Sequence, residues 1–190
     1  MTEQPNFSKP TCLLALDLGQ NLGWALWHNG VVTSGSTDLS KSRNKRFEGP
    51  GMKFVRFSRM LSEFPRPTIL SFEEVRRHLG TDAAHAYGGY LSHLTAFCDA
   101  QEPPIPYEGF PVPTIKKRAT GSGNAPKEAM IAACAALLNK TPIDDNEADA
   151  LWILVLMCEA ASVRWPTGPV AEPPQKPAAK KRKKGTTAQS

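Results

Sequence analysis

Residues 11–165 predict an α/β fold: a mixed five-stranded sheet, three antiparallel strands then two more, flanked by helices. Three observations predict it. Short apolar runs over 12–17, 23–27 and 30–36 follow one another, the last two joined by a tight turn at His28-Asn29-Gly30 that reads as a hairpin. Helix-like and strand-like segments then alternate along the chain. The helix-like segments carry apolar residues at helical spacing, as helices laid on a sheet require.

Taken in order, the first strand ends on Asp17, and the chain then bends through Gly19 and Gly23 into the second. After the third strand comes a polar, basic loop, "DLSKSRNKRFEGPG". Phe54, Phe57, Leu61 and Phe64, with Lys53, Arg56, Arg59 and Glu63 between them, predict an amphipathic helix over 51–64. "PTILSFEEV" reads as the fourth strand. A helix over 82–100 places Ala84, Tyr87, Leu91, Leu94 and Cys98 on one face, and its Gly88-Gly89 pair marks a close approach. "IPYEGF" is a short fifth strand. Lys116, Lys117 and Arg118 read by themselves as a solvated loop. Pro126 opens a helix to about Asn139, and a last helix runs over 145–160. The predicted order is β-β-β-α-β-α-β-α-α.

With 41% hydrophobic and 22% charged residues, the 190-residue chain has the composition of a soluble protein with one well-cored domain. It has no apolar run of membrane-spanning length, and its first ten residues are polar, so a cytoplasmic location is expected. Cys12, Cys98, Cys134 and Cys158 form no CxxC pair and sit in apolar segments, which predicts reduced core residues. The net charge of +5 resides in the tail: residues 1–170 balance 17 basic against 17 acidic residues, while 171–190 carry six basic residues and Glu172. The domains are therefore an N-terminal extension (1–10), a folded domain (11–165) and a disordered Pro/Lys-rich tail (166–190). That tail suits phosphate binding, a localisation signal or simple solubilisation.

The chemistry lies in the carboxylates. A carboxylate at the end of a buried strand needs compensation for its charge, and either a cation or a turn-capping role supplies it for Asp17. The predicted topology can bring Asp17, Glu73 and the acidic cluster at 145–149 together, where converging oxygens suit hard Mg²⁺ or Mn²⁺. A pair of such ions is the usual clamp for in-line attack on a phosphodiester. Glu73 and Glu74 are adjacent on a strand, so only one of them can line a site. Asp144, Asp145 and Glu147 are each explained by the dipole of a helix N-terminus; Asp149, deeper in an apolar helix, is not. The irregularly placed histidines carry no assigned chemistry. Ile153, Leu154, Leu156 and Met157 read as core or as a dimer interface.

"LLALDLGQNLGWA", "ILSFEEV", "IKKRATGSGNAPKEAM" and "NEADALWI" occur in the order and at roughly the spacings of RuvC-like Holliday junction resolvases, which have an RNase H-like fold. The resemblance covers about residues 13–160, looks most like the phage and prophage branch, and is most specific at Lys116, Gly121, Gly123, Ala125 and Lys127. It implies a Mg²⁺-dependent endodeoxyribonuclease, active as a homodimer in recombination or repair, with two ions per site that Mn²⁺ can replace. Asp17, Glu73 and Asp149 would bind metal, and Lys116 and Lys127 would hold the scissile phosphate or stabilise its developing charge. Two departures stand out. Asn146 occupies a position where many relatives carry a further acidic or histidine ligand, so Asn146 or the neighbouring Asp145 would serve. Arg76 stands where a resolvase can present an apolar wedge to the junction, which weakens the case for junction selectivity.

Other readings compete with this one. A sugar-kinase or actin-type ATP-binding fold also begins with Asp-x-Gly, but it needs two related domains and a second Gly-rich loop. A non-catalytic branched-DNA-binding module is supported only by Asn146, and a general RNase H-like nuclease is the third option.

Overall fold

A computed structural model describes residues 11–40, 48–76, 80–166 and 170. The N-terminal extension (1–10), most of the basic loop (41–47), Arg77 and His78, and the basic tail from 171 onward lie outside the described residues.

The strands are β1 (Cys12–Asp17), β2 (Asn21–His28), β3 (Val31–Asp38), β4 (Ile69–Glu74) and β5 (Tyr107–Pro111). They form one sheet in the order β3-β2-β1-β4-β5. β1 pairs antiparallel with β2 and parallel with β4; β2–β3 is antiparallel and β4–β5 parallel. The hairpin turn has both Asn29 and Gly30 at positive φ, 50° and 86°, as a two-residue loop between twisted antiparallel strands requires.

The helices are α1 (Met52–Glu63), α2 (Thr81–Asp99), α3 (Val112–Thr120), α4 (Lys127–Leu138) and α5 (Asp145–Ala160). α1 and α2 cover one face of the sheet, packing Phe57, Leu61, Tyr90 and Leu94 on Leu14, Leu16, Leu70 and Phe72. α5 lies on the other face against Leu13, Ala15, Ala25 and Val32, and is itself overlaid by α3 and α4. Because it is covered on both sides, α5 is apolar nearly all round. Of the expected stripe, Ile153, Leu154 and Met157 are buried in this chain's own core, and Leu156 packs partly buried against it. All four cysteines are buried, and burial pushes each thiol up, to about 11 for Cys12 and Cys98 and about 12 for Cys134 and Cys158.

Three expectations need correction. The segment with Lys116, Lys117 and Arg118 is helical rather than a loop. Pro111 and Pro113 in the sequence argue for extended chain, but Pro113 sits in the first turn of α3, where a missing N–H breaks no bond. Ile115 and Ala119, at i and i+4, then bury one face, and Gly121 at φ 80° ends the helix with its N–H on Lys117 O at 2.8 Å. Second, Gly23 belongs to no bend. It is the third residue of β2, opposite Asp17, and the backbone of α5 presses directly on it. The third correction is partial: the close approach expected of the glycine pair in α2 is present at Gly89, against the ring of Phe54 on α1, while Gly88 faces open space.

Candidate active site

Alternation along the strands decides which side chains face α5. In β1, Cys12, Leu14 and Leu16 pack under α1 and α2 while Leu13 and Ala15 pack under α5, so Asp17 falls on the α5 side. In β4, Leu70 and Phe72 pack under α1 and α2, which puts Glu73 on the α5 side and Glu74 on the other. The parallel register matches Leu16 with Phe72, so Asp17 and Glu73 are the next neighbours along the two strands. Their side chains share a hydrogen bond.

α5 supplies the third carboxylate. Burial, reinforced by Glu73, pushes Asp149 up to about 7 against the pull of Lys116 and Lys127. Burial also drives Asp17 well above the carboxylate range, aided by the charges of Glu73, Asp149 and Asp145. Glu73 is raised by burial too, with Asp17 and Lys116 opposing. Lys116, half-buried on α3, therefore stands close enough to act on two of the three carboxylates. Lys127, at the start of α4, forms an ion pair with Asp145.

Oδ1 of Asp149 is buried with no hydrogen-bond partner among the described residues. An unpartnered carboxylate oxygen in a cluster of raised carboxylates is the environment a divalent cation would relieve. Among the described residues, however, no three His, Cys, Asp or Glu side chains are already set around a point that could hold an ion. Of the gathered acids, Asp17 and Glu73 are bonded to one another.

The choice between Asn146 and Asp145 has a geometric bearing. Burial pushes Asp144 up, but the Glu147 N–H and the side chains of Ser36 and Asn146 outweigh it and hold Asp144 below its usual range. Asn146 thus faces the helix cap, whereas the charge of Asp145 is felt at both Asp17 and Asp149. On the far side of β4, Glu74 pairs with Arg76 at 3.1 Å on the surface. Arg118 is bound to Glu159, its Nε lying 2.9 Å from Oε1, and so serves as a helix-to-helix tie.

Sequence reasoning missed two supports of the site. Tyr87 on α2 donates its hydroxyl to Glu73 O at 2.9 Å and accepts from Val75 N at 3.2 Å, fixing the end of β4 that carries Glu73. An apolar helical stripe gives no hint of that bond. Glu147, assigned only a dipole role, is instead completely buried. The Asp144-x-x-Glu147 spacing, a capping-box pattern, was its available signal. A groove of about 790 Å³ between Trp24, Leu26, Met60 and Phe64 lies on the opposite face of the sheet and contains none of these carboxylates.

No protein-family model and no curated protein matches the sequence. The structure is similar to Thermus thermophilus RuvC in complex with Holliday junction substrate, with a TM-score of 0.60 and 20% identity over 80% of this chain and 96% of that one. It is also similar to a second T. thermophilus RuvC structure, with a TM-score of 0.55 and 19% identity over 82% and 99% of the two chains. A third similar structure is the yeast mitochondrial Holliday junction resolvase Ydc2, with a TM-score of 0.52 and 14% identity over 80% and 78%. The mixed five-stranded sheet and its flanking helices thus make the RNase H-like fold of RuvC.

Proposed function

We propose that this chain is a divalent-metal-dependent endonuclease that resolves four-way DNA junctions by paired, symmetric phosphodiester hydrolysis. One observation carries the reading: Asp17, Glu73 and Asp149 are gathered at the end of β1 and β4, with a buried, unpartnered oxygen on Asp149 and Lys116 beside them. That site lies in a fold shared with a RuvC bound to a Holliday junction.

Asp17, Glu73 and Asp149 would hold Mg²⁺, with Asp145, whose charge reaches both Asp17 and Asp149, as the further ligand. When bound, the metal neutralises the carboxylates, acidifies water and stabilises negative charge on the phosphate. The chain's own residues do the rest. Lys116 offers an ammonium to the phosphoryl oxygen that gains charge as water adds to phosphorus and the bond to the 3′ oxygen breaks. The products are a 3′ hydroxyl and a 5′ phosphate. Lys127, tied to Asp145, links the start of α4 to the first turn of α5. A homodimer would present two such sites to the two symmetric strands of a junction. Among the described residues no helix is long and apolar enough to cross a membrane.

A second reading, a less selective RNase H-like nuclease, is favoured by Arg76. That charged residue, paired with Glu74, stands at the end of β4 where an apolar wedge would open a junction. Cleavage of a labelled four-way junction beside matched duplex, flap and single strand, with Mg²⁺ or EDTA, decides between them. Paired nicks on the junction alone, lost in Asp17→Asn while junction binding persists, are the expected result. Equal cutting of all substrates would establish the less selective nuclease, and tight binding without cutting would refute catalysis.

A further inference from the structure

The first two turns of α5 carry Asp145 and Asp149, and their seating on the sheet sets where both acids stand. Four small residues of β2 and β3 form the bed of α5. Gly23 lies under the backbone of Asn146, paired in register with Ser36, while Ser34 pairs with Ala25. Into this bed projects Glu147, with no exposed surface at all. Its Oε1 accepts from the Ser34 hydroxyl at 2.6 Å, and its Oε2 accepts from the Ile143 N–H at 2.6 Å. Lys140, in the loop before α5, forms an ion pair with Oε1 at 3.5 Å and is itself 12% exposed. The Glu147 N–H closes the motif by donating to Asp144 Oδ1 at 2.9 Å.

One side chain therefore joins β3, the incoming loop and the start of α5. A buried carboxylate is costly to place in a core, and leaving it there is tolerable only because each oxygen is satisfied. The same low-dielectric surroundings make its bonds directional and stiff. Asp149 follows Glu147 by two residues and Asp145 precedes it by two, so any rotation or lift of the turn moves both acids relative to Asp17 and Glu73.

We infer that Glu147 is a positioning residue, which through Ser34, Ile143 and Lys140 holds the first turn of α5 so that Asp145 and Asp149 meet the strand carboxylates around a divalent cation. The inference rests on the metal-dependent reading above and adds a residue that does not itself touch metal or DNA. Groups that orient metal ligands typically change affinity by 10–100-fold when removed. For a residue acting through a helix turn, the expected change is at the lower end, about tenfold.

The test measures Mn²⁺ binding by titration calorimetry on the full-length, EDTA-treated protein, beside the Mg²⁺ concentration giving half-maximal junction cleavage. Variants are Glu147→Gln, Ser34→Ala and the double substitution. Ser34→Ala removes a single hydroxyl and keeps the other bonds to Glu147, so it decides the matter if Glu147→Gln does not fold. Each folded single variant should bind Mn²⁺ about tenfold more weakly, with the half-maximal Mg²⁺ concentration raised in step and cleavage recovered at saturating Mg²⁺. The double variant should lose no more than the worse single one, because both cut the same tie. Reduced stability with unchanged Mn²⁺ affinity in a folded Ser34→Ala would overturn the positioning role while leaving the nuclease reading intact. A wild type that neither binds Mn²⁺ nor cleaves would overturn both.

Discussion

Replacing Gly23 by alanine adds one methyl group where α5 crosses β2. A Cβ there would lie 1.9 Å from Asn146 O, 2.3 Å from Asn146 C and 3.0 Å from Glu147 N. The first separation is about 1.5 Å short of ordinary contact, which begins at 3.4 Å. Both partners are backbone, so no rotamer change relieves the clash and either β2 or the start of α5 must shift. Overpacking of this kind typically costs 1–3 kcal/mol, and the absence of a flexible neighbour puts Gly23→Ala near about 3 kcal/mol. The same shift moves Asp145 and Asp149, and a misplacement of about 1 Å in a catalytic array can cost 10²-fold in rate. Gly19→Ala is the control from the same stretch, since its Cβ meets nothing nearer than Asn21 O at 3.4 Å. Urea unfolding with linear extrapolation measures the stability difference, and junction cleavage at fixed Mg²⁺ measures the rate. Should Gly23→Ala prove as stable and as active as Gly19→Ala, the close seating of α5 on β2 would be wrong.

Other perturbations separate electrostatics from packing. Asp149 has its folded pKa raised from 3.8 to about 7, so the folded state holds a proton that the unfolded state has released. Without divalent metal, the contribution of Asp149 to stability should therefore be greatest below pH 4, fall between pH 4 and 7, and level off above. Three units correspond to about 4 kcal/mol as an upper limit, reduced by partial solvent screening. Asp149→Asn should remove that decline and be the more stable protein at pH 8 in EDTA; urea midpoints at pH 5 and 8 that change in parallel for both proteins would contradict the assignment. Lys116→Met should lower kcat by about 10²-fold or more while junction binding in EDTA changes little, as single-turnover cleavage and gel-shift binding would reveal. Deleting residues 171–190 removes six basic residues, and should weaken DNA binding and flatten its dependence on salt; an unchanged slope would free the tail from any role in binding.

Periodicity made most of the architecture legible. The continuous apolar run of β1, a strand buried on both faces, and the helical spacing of Phe54, Phe57 and Leu61, which buries one face, are both local properties legible along the chain. α3 escaped because prolines at 111 and 113 carry opposite meanings in a strand and in a first helical turn, and only the packing of Ile115 and Ala119 decides between them. Motif resemblance singles out Asp17, Glu73, Asp149 and Lys116, and the fold gathers them.

By itself, then, the sequence determined which residues form the sheet, which carboxylates end its central strands, and that the excess charge sits in the tail. Side-chain alternation and composition are properties of neighbours along the chain. Tertiary structure alone decided that Gly23 is a seat for α5, that Tyr87 ties down the end of β4, and that Glu147 belongs to the core. Each of these depends on groups tens of residues apart, such as Ser34 and Glu147, meeting at hydrogen-bond distance. Such contacts leave no periodic trace, because one oxygen needs one donor and the chain can supply it from any strand or loop that the fold brings near.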